Sequence, residues 1–266
     1  MAQHPFISGR WLKHNKLQEN ENWHISRNHQ NEVTSFCYIS TKKIKSIFLG
    51  SFPIYQMSEG KNQNDLIEFY YGSNDNKFWP LLSRLLTFPI DTIQSRIDLL
   101  NLFSIGITDI LLDIKRYPDN SNSDKDLFPF KYNDILELLN NYPLIKNIFI
   151  TSGGVAGVAK LNSKNKSVAT WLRDSIIHKN PKGFNYHGFV KNIIINSLNF
   201  NLIYLYSPSD NANIPIQGIL NRNNNFDIPN LNIELFRQYQ WEYFLKKYHF
   251  NQEPKVPQPL IDFFEQ

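Results

Sequence analysis

Along the chain, short runs of branched and aromatic residues that end in Gly, Ser or Pro alternate with segments whose apolar positions recur at helical spacing. Lys45 to Leu49 is the first predicted core strand, punctuated by Gly50. Ile107 to Ile114, Lys146 to Ile150, Asn192 to Ile195 and Leu202 to Tyr206 are further predicted strands. Helices are predicted over Asn76 to Leu86, where Pro80 is comfortable only in a first turn, and over Asp91 to Phe103, with Asp91 as cap and Gly106 as the end. Asn133 to Asn141 and Val168 to Ile177 complete the helical set of the central region. This alternation predicts an α/β fold, a three-layer α/β/α sandwich around a central, mainly parallel sheet.

The flanks read differently. Residues 1–43 are polar, with Trp11, Trp23 and Phe36 as isolated anchors, and predict an irregular N-terminal arm packed on the domain. Tyr117 to Lys131, rich in Asp, Asn, Ser and Pro, predicts a surface loop. Asn221 to Pro229 is an asparagine-rich linker, and Leu231 to Tyr248 predicts an extra C-terminal helix. Its aromatic stripe, Phe236, Tyr239, Tyr243, Phe244 and Tyr248, is expected to pack on the domain. The expected organisation is therefore an arm over 1–43, a domain over 44–220 with an insertion at about 157–200, and a linker and helix over 221–266.

Composition narrows the classes. A chain of 266 residues, 41% hydrophobic and 20% charged, can bury a sizeable core. The single cysteine, Cys37, excludes an internal disulfide framework and a thiolate metal or iron–sulfur cluster. The seven histidines are scattered and form no metal-ligand spacing, so neither metal nor other cofactor is expected. No apolar stretch reaches membrane-spanning length and no secretory signal is evident, which predicts a cytoplasmic protein; a monomer is expected. The net charge of +4 permits a phosphate-rich partner without requiring one.

The candidate chemistry gathers around residues 46–86. Gly50-Ser51-Phe52-Pro53 closes the first strand, Tyr70-Tyr71-Gly72 follows a polar loop, and Asn76-Lys77-Phe78-Trp79 opens a helix. Gly50 would let backbone approach a ligand, Ser51 offers a hydroxyl and an N–H, and Tyr70 or Tyr71 offers an aromatic face. Asn before a helix is also an ordinary cap, and the aromatic residues are also ordinary core material. Ser51 could equally complete a turn, and Asp109 could equally cap a loop.

Together these motifs resemble the uracil-DNA glycosylase superfamily, most closely its hypoxanthine-DNA glycosylase and mismatch-specific uracil-DNA glycosylase branch. The resemblance continues at intervals through Ile105-Gly106-Ile107-Thr108-Asp109, Tyr132 to Ile135, Lys146 to Gly153 and Leu205 to Ala212. It implies a DNA glycosylase that flips a deaminated or modified base and hydrolyses its N-glycosidic bond without a metal. Asn76 is implied as the water-positioning catalytic side chain, with Ser51 beside it. Gly50, Phe52, Tyr70, Tyr71, Ser152, Ser207 and Ser209 are implied as the residues around the base. The partner implied is DNA carrying a base lesion.

Two positions depart from the family's pattern. Ser152-Gly153 stands where that branch often has Asn-Gly, and a hydroxyl cannot make the bidentate contact of an amide, so looser discrimination among bases is expected. Asp210 stands where a proline is expected. Separately, Lys164, Lys166 and Lys179 lie in a lysine-rich segment with few acids, which reads either as a phosphate-tracking surface or as a solvated face. The alternatives that remain open are a nucleic-acid-binding member with lost or altered catalysis and a small-molecule nucleoside hydrolase.

Overall fold

The computed structural model describes residues 2–5, 23–39, 43–58, 69–73, 75–117, 119–120, 123–151, 168, 171–172, 189–195, 197–223 and 226–266. Its strands are β1 (Ala2–Gln3), β2 (Trp23–Arg27), β3 (Val33–Tyr38), β4 (Ser46–Gly50), β5 (Ile105–Asp109), β6 (Leu111–Arg116), β7 (Leu127–Tyr132), β8 (Asn147–Ile150), β9 (Val190–Ile195) and β10 (Leu198–Tyr204). The helices are α1 (Tyr55–Ser58), α2 (Phe78–Leu86), α3 (Ile93–Phe103), α4 (Ile135–Asn141), α5 (Asn213–Arg222), α6 (Ile233–Phe244) and α7 (Gln258–Phe264). Seven strands form one sheet in the order β2-β3-β5-β4-β8-β10-β9, and β1-β6-β7 form a second, antiparallel sheet.

The four central strands of the large sheet, β5, β4, β8 and β10, run parallel, while β2, β3 and β9 are antiparallel to their neighbours. The fold is thus a mixed α/β architecture. Parallel strands covered on both faces read as near-continuous apolar runs, and β4 is buried throughout, with Ser46 as its polar side chain. Ile47 and Leu49 join Ile148, Ile150 and Leu202 in one core cluster. Phe48 joins Phe149 and Ile203 in the other, with helix residues Phe78, Leu100 and Trp241. The shared strand direction brings the ends of β4, β5, β8 and β10 to one rim, since Gly50 pairs with Asp109, Leu49 with Ile150 and Ile150 with Tyr204.

Several local expectations are corrected. Residues 23–38, read as irregular, supply two strands, because Trp23, Phe36 and Tyr38 point into the core beside Phe69. The strand expected over 107–114 is two strands in two sheets, turning at Ile110, whose N–H is held by the Gly50 carbonyl at 2.9 Å. The expected loop over 117–131 contains β7, paired with β6 from Leu111↔Tyr132 to Arg116↔Leu127. Its prolines and charges concealed a strand because only one face is buried. Helix α3 is capped by Thr92 rather than Asp91, through a reciprocal pair of 3.0 Å bonds with Ser95, and it ends at Ser104 in the left-handed region, leaving Gly106 inside β5.

The C-terminal segment belongs to the core. Phe236, Tyr243 and Phe244 of the aromatic stripe are buried, and Tyr239 and Tyr248 pack against them. After α6 the chain widens into a π-helical turn, Leu245–Phe250, which carries His249 to the sheet end opposite the rim, beside Ser46. His249 Nε2 donates to the Phe103 carbonyl and Nδ1 accepts from Ser46 Oγ, both at 2.9 Å. Burial pushes the His249 imidazole below its usual 6.5, and His24 is lowered for the same reason. The unfolded chain therefore binds protons below about pH 6.5 that the folded chain resists, so stability is complete above that pH and falls on acidification. Melting temperatures at pH 7.5 and 5.5 should show this loss, and His249→Gln should reduce the difference; an equal acid loss in the variant would remove His249 from the account.

Candidate active site

The rim begins at Gly50, the last residue of β4. A Cβ there would collide with Asp109 Oδ1 and with the Tyr71 hydroxyl, so the absence of a side chain is what allows those two groups to meet over the strand end. Tyr71 is placed by an unusual backbone: its φ of 51° lies in the left-handed region, which costs a bulky L-residue on the order of 1–3 kcal/mol. The ring is stacked on Phe78 at 4.2 Å, and its hydroxyl lies 2.6 Å from Thr151 Oγ1 at the end of β8. Burial, then the nearby Asp109 charge, pushes the Tyr71 phenol well above its usual range, so it remains a proton donor at neutral pH.

Asp109 closes β5 on the other side of Gly50. Its Oδ2 is 3.1 Å from His4 Nε2, and both side chains are nearly inaccessible, at 7% and 0% exposure. His4 reaches this position because β1 pairs with β6 and its own N–H bonds to the Leu112 carbonyl at 2.8 Å. The imidazole packs 4.6 Å from Phe36 and edge-on to Phe52 at 5.5 Å. Sequence reasoning missed the His4–Asp109 pair entirely. No local signal could have found it, since 105 residues separate the two and the N-terminal segment shows no regular pattern.

Asn76 stands just before α2. Its Oδ1 accepts the Phe78 N–H at 2.9 Å, so it does act as a turn-stabilising residue at the helix start. Among the described residues its Nδ2 has no hydrogen-bond partner. The next residue's N–H, that of Lys77, donates to the Pro208 carbonyl at 2.8 Å. That bond fastens the Asn76 turn directly to the loop after β10, where Ser207 Oγ and Ser209 Oγ lie 2.8 Å apart. The loop is braced from behind by α6: Gln240 Oε1 accepts the Tyr206 N–H at 2.8 Å and Trp241 Nε1 donates to the Tyr206 carbonyl at 3.2 Å.

The structure brings Gly50, Ser51, Tyr71, Asn76, Ser207 and Ser209 to this rim. Ser51 Oγ donates to Asp124 Oδ1 at 2.7 Å, which commits its hydroxyl to the start of β7. Tyr70 and Phe52 are also adjacent but face inward, 1% and 8% exposed, with Tyr70 near His4 and the Arg116 guanidinium over Phe52. Of the two tyrosines, only Tyr71 therefore occupies the rim itself. Ser152, Lys164, Lys166 and Lys179, with most of the 157–200 segment, lie outside the described residues. Among the described residues no group of three or more His, Cys, Asp or Glu could hold a metal ion, and no helix is long and apolar enough to cross a membrane.

Chemically, the rim combines one carboxamide whose N–H donors have no partner among the described residues, a protonated phenol and a carboxylate held by an imidazole. Such a set suits binding a polar, planar group and positioning water beside it. No protein-family model matches the chain, and no curated protein does. Among solved structures, the chain is similar to a solution NMR structure of a "putative Uracil DNA glycosylase from Methanosarcina acetivorans", with 15% identity over 76% of this chain and 88% of that one and a TM-score of 0.40.

Proposed function

We propose that this protein is a DNA glycosylase of the uracil/hypoxanthine type, which flips a deaminated or modified base into the rim and hydrolyses its N-glycosidic bond. The observation that carries the reading is the Lys77 N–H bond to the Pro208 carbonyl. It joins the Asn76 turn to the last rim loop, at the end of the parallel sheet where β4, two strands away from β10, ends at Gly50. The nearness of these three separated motifs supports a site in which a flipped base and a water are both held.

In this reading Asn76 positions the water, Gly50 makes room for Asp109 and Tyr71, and Ser51 offers its backbone N–H. Tyr71 and the Ser207–Ser209 loop flank the base, and Asp109, held by His4, faces the positive charge that develops on the sugar. Tyr70 and Phe52 support the site from beneath. Ser152 would contact the base and Lys164, Lys166 and Lys179 would track phosphates. The proposal includes a three-layer sandwich, the division at residues 43 and 220, and a monomeric, cytoplasmic enzyme that needs no metal.

A second reading, a nucleic-acid-binding protein without excision, is favoured by one observation: the Ser51 hydroxyl is already engaged by Asp124. Oligonucleotides containing uracil, hypoxanthine, xanthine or a substituted pyrimidine, single- and double-stranded, separate the readings when alkaline scission is used to reveal abasic sites. Excision of hypoxanthine or a substituted pyrimidine, with weak activity on uracil in duplex DNA, is the expected result. Binding without scission supports the second reading, and hydrolysis of free nucleosides alone would replace both with a small-molecule hydrolase.

A further inference from the structure

The outer face of the β1-β6-β7 sheet carries an aromatic row that the site does not use. Tyr117, Phe128 and Phe130 are 55%, 58% and 55% exposed. Their rings follow one another at 6.3 Å from Tyr117 to Phe128 and 6.2 Å from Phe128 to Phe130. Phe128 and Phe130 are two residues apart on one strand and so share a face, while Leu127, the residue before Phe128, is buried. Lys115, the register partner of Phe128, holds its ammonium 4.8 Å over the Tyr117 ring.

Chemistry distinguishes this face from an ordinary apolar patch. Among the described residues the other exposed large apolar side chains, Leu102, Leu144, Ile194 and Ile214, are aliphatic. The sheet that carries the row also adjoins the rim: the Ile110 and Leu111 N–H groups donate to the Gly50 and Ser51 carbonyls at 2.9 and 3.2 Å, and Ser51 Oγ donates to Asp124 Oδ1 at 2.7 Å. A strand leaving the rim along β7, whose Tyr132 pairs with Leu111 at the rim end, would meet Phe130, then Phe128, then Tyr117.

We propose that this face is a stacking platform for single-stranded DNA, binding bases beside the one held at the rim, with Lys115 contacting the backbone. Exposed aromatic rings interleaved with a cation bind successive bases through their π-faces without reading sequence. The choice of DNA rests on the glycosylase reading; the stacking itself does not.

The test uses the full-length protein and a labelled, lesion-free dT12, with affinity read by fluorescence anisotropy at several salt concentrations. Phe128→Ala/Phe130→Ala should weaken binding at least tenfold with little change in the salt slope, and Phe128→Leu/Phe130→Leu should do the same, since leucine keeps the apolar surface but has no ring. Lys115→Gln should lower the slope by about one unit. Both double variants should melt within a few degrees of the unaltered protein, because the rings are exposed. Full affinity in the leucine variant would overturn the platform, as would an effect confined to self-association in size-exclusion chromatography. Because dT12 carries no lesion, a protein that loses dT12 binding in these variants yet excises nothing would keep the platform and lose the glycosylase reading.

Discussion

Replacing Asn76 by alanine should lower single-turnover excision by about 10²–10³-fold while changing affinity for lesion DNA far less. A group that positions water acts mainly in the transition state, and removal of one preorganised polar group costs roughly that factor. The same substitution also removes the acceptor for the Phe78 N–H, a cap-like bond worth about 1 kcal/mol, so melting must be followed alongside. Asn76→Asp separates the two roles: it keeps the oxygen for Phe78 and discards the N–H donors. Its stability should match that of the unaltered protein while excision stays low. Full excision in the alanine variant would remove Asn76 from the mechanism, and full excision in the aspartate variant would move its role from the amide N–H to the oxygen.

Gly50→Ala should be as damaging by a different route. The added methyl would meet the Asp109 carboxylate and the Tyr71 hydroxyl, and neither can withdraw freely. Asp109 is tied to His4, and Tyr71 is held by its stack on Phe78 and by its contact with Thr151. Overpacking of this kind costs about 1–3 kcal/mol, and the displaced groups are those proposed to face the substrate. Excision should fall at least a hundredfold and the melting temperature should drop by several degrees. Unchanged values for both would mean that Asp109 and Tyr71 do not meet over Gly50 in solution.

What could be read from the sequence was whatever local pattern encodes. The strand at 46–50 was legible because burial on both faces gives it the apolar run Ile47 to Leu49, and Gly50 marks its end. The start of α2 was legible because Pro80 is tolerated only in the first turn. The candidate residues at the rim were implied by the family resemblance, and the helix-start role also expected of Asn76 is seen in its bond from the Phe78 N–H. Long-range pairing was not legible: Trp23–Arg27 and Val33–Tyr38 look irregular until Phe36 and Tyr38 are seen packed in the core. His4 is similar, a lone polar residue whose importance depends on β1 pairing with β6. The brace of the 206–209 loop by Gln240 and Trp241 also joins residues more than 30 apart, on a helix whose pattern announced only packing.

The central claim is that the rim bounded by Gly50, Tyr71, Asn76 and the Ser207–Ser209 loop receives a flipped nucleotide. The most direct measurement is a crystal structure of the protein with duplex DNA carrying a cationic abasic-sugar analogue at the lesion position. The account predicts the analogue's ring within hydrogen-bond reach of a water held by Asn76, beside the Gly50–Ser51 backbone, with its nucleotide turned out of the stack. DNA bound with no nucleotide at that rim, or bound across the opposite rim near Ser46 and His249, would contradict it.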